Sequence, residues 1–189
     1  MKPKLLLHIC CACCTPKILD FFEEKYEVTG FWFNPNIQPE TEHSSRYSAM
    51  KNYLAKRNIS LIAQDGYRPE KWTAEIEKTG TAKPERCRAC WQLRLEACAR
   101  EAKKENMGFF STTMLSSPYQ DFDVIKNIGG STAETYNLEF VSSDLREHYY
   151  KGVDTIKGLN LFTQKYCGCA FSREEREAEK KKKQIICSS

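Results

Sequence analysis

Residues 4–16 read KLLLHICCACCTP, and this stretch sets the fold class. Lys4–Ile9 is a short, nearly unbroken apolar run, the pattern of a strand buried on both faces. Cysteines follow at once. Thr15 then suits a helix cap and Pro16 the first helical position, which predicts a helix through about Tyr26. A buried strand that feeds straight into a helix opens an α/β unit, and the rest of the chain repeats the alternation. Val28–Phe33 is a second strand, ended by Asn34-Pro35-Asn36. Glu40–Asn58 has helical spacing at Tyr47, Met50, Tyr53 and Leu54. Leu61–Ala63 is a third strand, closed by Asp65-Gly66. Glu70–Lys78 is a helix stopped by Gly80, and Glu85–Glu105 a long one with Trp91, Leu95, Cys98 and Ala102 along one face. Phe109–Met114 is strand four and Ser116–Tyr119 a loop. Asp121–Asn137 is a helix expected to break near Gly129-Gly130, and Leu138–Ser142 is strand five. Asp144–Gln164 gives no clear pattern. From about residue 172 to Gln184 the chain is a charged helical tail. The expected architecture is one α/β domain over 1–189, with a parallel sheet and right-handed crossovers. Sites in such sheets lie beyond the carboxyl ends of the strands, where the first cysteines fall.

The composition narrows the class. The chain has 189 residues, 41% hydrophobic and 12% aromatic, which is globular rather than disordered. A net charge of +4 permits a nucleic-acid partner without demanding one. The apolar run near the start spans about five residues, short of the ~7–15 of a signal-peptide core. No stretch approaches the ~18 apolar residues of a membrane span. The expected location is the cytoplasm, where thiols stay reduced. Ten cysteines in that setting point to metal or redox chemistry rather than structural disulfides.

Four of the ten lie within five residues: Cys10, Cys11, Cys13 and Cys14. Four so close together are poorly explained as small core hydrophobes. Neighbouring strand residues point to opposite faces, so Cys10 and Cys11 share a site only where the chain leaves the strand. The turn into the first helix allows that, and the helix's positive end favours thiolates. Cys87 and Cys90 form C-x-x-C at the start of the long helix, with both sulfurs on one face. Two sulfurs from each element make a four-thiolate set, suited to zinc or to an iron–sulfur cluster. The C-C doublet is an uncommon zinc spacing and favours iron–sulfur. Cys167-Gly168-Cys169 can close a small, strained, redox-capable ring, or serve as further metal ligands. Cys98 reads as core and Cys187 as incidental.

Other features are weaker. His8 lies within strand one, as a satisfied core histidine or as a proton donor near the cysteines. Lys180–Lys183 beside Glu174, Glu175, Glu177 and Glu179 reads as a solvated helix face that can also meet phosphates. Neither a P-loop nor a G-x-G-x-x-G fingerprint is present.

Together these residues resemble the cobalamin-independent epoxyqueuosine reductases of tRNA queuosine synthesis, the QueH type. LLHICCACC with Cys14, FNPNIQP at 33–39 with Glu42 and Arg46, CRAC at 87–90 with Arg94 and Leu95, STTMLSSPY at 111–119, and QKYCGC at 164–169 with Phe171-Ser172 match its signatures in order. One departure is visible: Cys13 stands where the family usually has proline, so its third cysteine maps to Cys14. The resemblance implies a Rossmann-like (HUP-like) sheet with the metal site at the carboxyl end of strand one. It implies the last step of queuosine biosynthesis: reduction of the epoxide of epoxyqueuosine, in the tRNA anticodon loop, to a cyclopentene with release of water. It also implies a [4Fe-4S] cluster on Cys10, Cys11, Cys87 and Cys90, and a redox-active disulfide between Cys167 and Cys169. An additional metal ion, expected to be iron, has Cys14 as its first candidate ligand. The partners are the tRNA and an external electron donor that the sequence does not identify. Tyr119 and His8 are candidate proton donors or substrate contacts. Trp32, Phe33, Trp91 and Tyr119 are candidates for stacking on loop bases.

Two rivals come from other classes. A zinc-stabilised tRNA-binding protein would share the cysteine pairs. An ATP-dependent tRNA-thiolation enzyme would share the α/β layout, but it needs a phosphate loop where this chain has CCACCTP, with no glycine to bring amides to a phosphate.

Overall fold

A computed structural model describes residues 1–64 and 66–187. Its centre is a five-stranded parallel sheet in the order β3-β2-β1-β4-β5. The strands are β1 (Lys4–His8), β2 (Glu27–Trp32), β3 (Leu61–Ala63), β4 (Phe109–Thr112) and β5 (Glu139–Phe140). The helices are α1 (Pro16–Glu23), α2 (Glu40–Lys56), α3 (Pro69–Thr79), α4 (Glu85–Lys104), α5 (Phe122–Tyr136), α6 (Tyr149–Gly158) and α7 (Ala170–Cys187). The parallel α/β sheet is the one the alternation predicts, and its order is Rossmann-like, as the resemblance implies. β1 lies in the middle, with Leu7 opposite Gly30 on one side and Ser111 on the other. Leu5, Leu6 and Leu7 are fully buried, as a strand covered on both faces requires. Burying each such side chain is worth ~1.5–3 kcal/mol.

Several boundaries differ from the sequence reading, each for a local reason. β4 stops at Thr112 rather than Met114, because the Thr112 hydroxyl accepts from the Met114 N–H and starts a 3-10 turn over Thr113–Ser116. α1 ends at Glu23, where the Lys25 and Tyr26 amides both bond back to the Phe22 carbonyl. α5 runs unbroken through Gly129-Gly130. Gly129 is needed for close approach: a Cβ there would lie 2.3 Å from the Phe140 ring. β5 keeps only two of the five expected residues. The unassigned segment contains α6, and the tail helix begins at Ala170. Asp65 of the expected Asp65-Gly66 turn lies outside the described residues. A small second cluster of Trp72, Ile76, Cys90 and Cys169, with Phe171 against it, docks the start of α7 onto α3 and α4. Among the described residues, no helix is long and apolar enough to cross a membrane.

Candidate active site

β1 ends at His8 and α1 begins at Pro16, so Cys10–Thr15 form a loop at the carboxyl edge of the sheet. The loop is tied on every side. The Ile9 carbonyl accepts from Asn34 Nδ2 at 2.8 Å, and the Cys11 carbonyl from Thr15 Oγ1 at 2.8 Å. The Cys14 carbonyl accepts from Ser116 Oγ at 2.8 Å. Thr113 works twice, with its Oγ1 accepting from the Cys10 amide (3.0 Å) and donating to Cys10 Sγ (3.3 Å). The STTMLSSPY signature thus braces the cysteine loop from β4 and the turn after it.

This bracing brings the Sγ atoms of Cys10, Cys11 and Cys14 within 4.8 Å of one another. Cys11 and Cys14 are 3.2 Å apart, Cys10 and Cys11 3.7 Å. Hydrogen bonds from Cys11, Cys14 and Thr113 hold the Cys10 thiol well below its ordinary pKa. Burial, with Cys10 beside it, pushes Cys11 up; Cys14 is raised by its contacts with Cys10 and Cys11 and by burial. Cys11 also meets Gln164 Nε2 at 2.8 Å. Three sulfurs with no carboxylate among them fit a thiophilic metal rather than a hard cation. Among the described residues, this is the one such set of three or more His, Cys, Asp or Glu donors. Cys13, also buried, is pushed up to about 11 by burial. Cys98 is core as expected, with its sulfur against the Leu6 and Ser111 carbonyls.

Cys87 and Cys90 lie on the first two turns of α4 and share their surroundings with Cys167 and Cys169. Burial, added to by Cys167, Cys169 and Cys87, pushes Cys90 up to about 12. Cys87 is raised by burial and then by Cys167. On the same helix Arg94, only 3% exposed, donates its Nε to the Cys90 carbonyl at 3.1 Å. Burial opposes its charge, and the thiols of Cys90, Cys167 and Cys10 favour it. Arg94 enters the sequence reading only as part of the CRAC signature and is given no role there; the available signal was an arginine one helical turn after Cys90 on the buried face.

Cys167 and Cys169 are free thiols. Gly168 between them has φ +143°, and a Cβ there would lie 3.1 Å from both Asn36 and Ile37. Arg46 is buried on α2, paired to Glu42 at 2.7 Å, and donates to the Tyr166 and Cys167 carbonyls, each at 3.0 Å. The Gln38 amide donates to the Gly168 carbonyl at 2.9 Å. The FNPNIQP segment with Glu42 and Arg46 is therefore the cradle of the Cys-Gly-Cys turn. Gln120 links the two regions, accepting from Trp91 Nε1 at 2.8 Å and reaching Cys167 Sγ at 3.5 Å.

His8 is fully buried, with its Nε2 on the Phe33 carbonyl (3.2 Å) and its Nδ1 on Thr112 Oγ1 (2.9 Å). A carbonyl only accepts, so the proton is on Nε2. Burial lowers the pKa to about 4, and the ring is neutral and internally satisfied. That arrangement favours the core reading over the proton donor. Of the aromatic residues expected to meet bases, Trp32, Phe33 and Trp91 are buried in the core, a correction to that expectation; Tyr119 is exposed.

A family model described as epoxyqueuosine reductase QueH matches residues 5–175. Proteins named epoxyqueuosine reductase QueH match along most of the chain. That of Dehalococcoides mccartyi is 36% identical, covering 93% of this chain and 96% of the relative. That of Thermotoga maritima is 35% identical over 93% and 94%. That of Staphylococcus epidermidis is 30% identical over 90% and 76%. With the five signatures folded into one edge of the sheet and most of the length matched, the chain belongs to the QueH family of epoxyqueuosine reductases.

Proposed function

We propose that this reductase removes the epoxide oxygen of epoxyqueuosine in tRNA at an iron–sulfur site held by its own thiolates. The reaction takes up two electrons and two protons and releases the oxygen as water. The observation that carries the reading is the set of three thiol sulfurs within 4.8 Å at the start of α1, braced by Thr113 and faced by Arg94. Cys10, Cys11, Cys87 and Cys90 would hold a [4Fe-4S] cluster, and Cys14 would contribute to an adjacent metal ion. When bound, these groups supply low-potential electrons and Lewis acidity.

The chain's own residues prepare the site. Thr113 fixes the Cys10 sulfur as an acceptor, and Arg94 offsets negative charge gathered on the thiolates in a poorly solvated place. The cradle of Arg46, Glu42 and Gln38 holds the Cys167-Gly168-Cys169 turn against the Cys87 side of the site. As Cys167 and Cys169 close to a disulfide they release two electrons and two protons, which balances one deoxygenation. The test is anaerobic incubation of the iron-reconstituted protein with epoxyqueuosine-containing tRNA and a strong reductant. Nucleoside mass analysis should show loss of one oxygen; an unchanged nucleoside would overturn the reading.

A further inference from the structure

Beside the cysteine loop stand two exposed tyrosines that neither the core nor the thiol chemistry uses, held by a third, Tyr149, that packs against the core. Tyr119 follows the turn after β4, and Tyr149 and Tyr150 open α6. Tyr119 is 70% exposed and Tyr150 63%, whereas the other aromatic rings, Phe162 apart, are buried or half-buried. Both stand edge-on to the half-buried Tyr149, with centroids 5.8 Å and 5.3 Å away at 86° and 78°. Their hydroxyls meet each other at 3.3 Å. The exposed rings are therefore held in place before any partner arrives, which lowers the entropy cost of binding.

Their position follows from Gly152. A Cβ there would lie 2.5 Å from the Cys13 carbonyl, so the first turn of α6 rests directly on the cysteine loop. Burial and then the thiols of Cys14, Cys11 and Cys13 push the Tyr149 hydroxyl up, while the hydrogen bond to Tyr150 raises that of Tyr119 against a smaller pull from Arg176 of α7. Two fixed, exposed rings thus border the thiol site with a guanidinium nearby. That is the chemistry of a base-stacking platform in single-stranded RNA recognition.

We propose that Tyr119 and Tyr150 stack on an unpaired nucleobase of the RNA that carries the target base, and so hold the loop open over the thiol site. This rests on the tRNA reading given above. The test measures affinity for two unmodified probes, an anticodon stem-loop RNA and a continuous duplex of the same composition. The native protein should prefer the hairpin. The Tyr119→Ala/Tyr150→Ala protein should lose about 10-fold or more of its hairpin affinity, with duplex affinity unchanged. The Tyr119→Phe/Tyr150→Phe protein, which keeps the rings, should stay within about twofold of native. Three results overturn the platform: a double-alanine protein that binds the hairpin like native, a double-phenylalanine protein as weak as the double-alanine one, or a native protein with no preference for the loop. Reduction of epoxyqueuosine-containing tRNA by the same native preparation is scored separately. If that reduction fails, the reductase reading falls; if it succeeds while the stacking result fails, only the platform falls.

Discussion

At the scale of single residues, His8 shows how a fully satisfied polar group acts on stability. Its pKa is about 4 in the folded chain, lowered chiefly by burial, against an ordinary value of 6.5. Between these values the unfolded chain binds the proton and the folded chain does not, so stability falls as the pH drops through this window and levels off below it. Between pH 7 and pH 5 the loss from this one group is about 2 kcal/mol. Denaturant midpoints of the metal-free chain at the two pH values should show it, and a His8→Gln protein should lack that part of the pH dependence. An equal pH dependence in both proteins would mean the imidazole is not held neutral. Gly129 and Gly130 give a second residue-level contrast. An Ala at 129 would meet the Phe140 ring, whereas nothing lies within 4 Å of a Cβ at 130. Gly129→Ala should therefore cost about 1–3 kcal/mol by overpacking. Gly130→Ala should gain up to about 1 kcal/mol from helix propensity. Thermal melts of the two proteins should move in opposite directions.

At the scale of elements, the N-terminal end of α4 is the part whose role is most sharply testable. It carries Cys87 and Cys90 on one face, beside Cys167, and Arg94 stands one turn on. Changing Cys87 to Ser should abolish the visible absorption of the anaerobically reconstituted protein and most of its bound iron, because three thiolates and a hydroxyl hold a cluster poorly. Full iron content in that variant would remove Cys87 from the ligand set, and stoichiometric zinc in a colourless native protein would favour the zinc rival. The elements themselves were largely readable. Leu5–Leu7 declared a doubly covered strand, Thr15-Pro16 the start of α1, and Gly80 the end of α3. The Gly129-Gly130 pair misled because a local breaker and a tertiary close contact look alike in one dimension. α6 was missed because its apolar face is small, with Ile156 and Gly152 its buried positions. In the site, the cysteine clusters stood out by density alone. The roles of Arg46 and Arg94 come from charge and hydrogen bonding across 121 residues of chain in one case and from burial in the other, and neither is local.

At the scale of the whole molecule, charge and topology act together on a long anionic partner. The net charge is +4, and Lys180–Lys183 stand exposed on the part of α7 beyond its docked first turns. Affinity for tRNA should therefore fall as salt rises, and a flat response between low and moderate salt would remove the electrostatic part of the tRNA reading. The same helix begins just after the Cys167-Gly168-Cys169 turn, which is tied to the sheet edge through the Arg46 cradle, Gln120 and the small cluster around Trp72. The turn is thus held by parts distant in sequence yet lies outside the Cys10, Cys11, Cys14 set. On the proposed reading, a pair placed there would exchange electrons with the site without being one of the braced thiols. Gly168, at a positive φ against Asn36 and Ile37, admits the tight turn that a ring closed between neighbours-but-one requires. A strained ring of that kind would be readily reduced, as the proposed redox role of the pair requires. Cys169→Ser should leave the iron–sulfur absorption largely intact, allow at most a limited first turnover, and suppress multiple-turnover reduction of the tRNA. Thiol trapping of the native protein should recover the pair reduced under mild reductant and oxidised after turnover. A Cys169→Ser protein that loses its cluster would place the pair in the metal shell. One that keeps full multiple-turnover activity would leave the cluster alone to carry both electrons, one after the other.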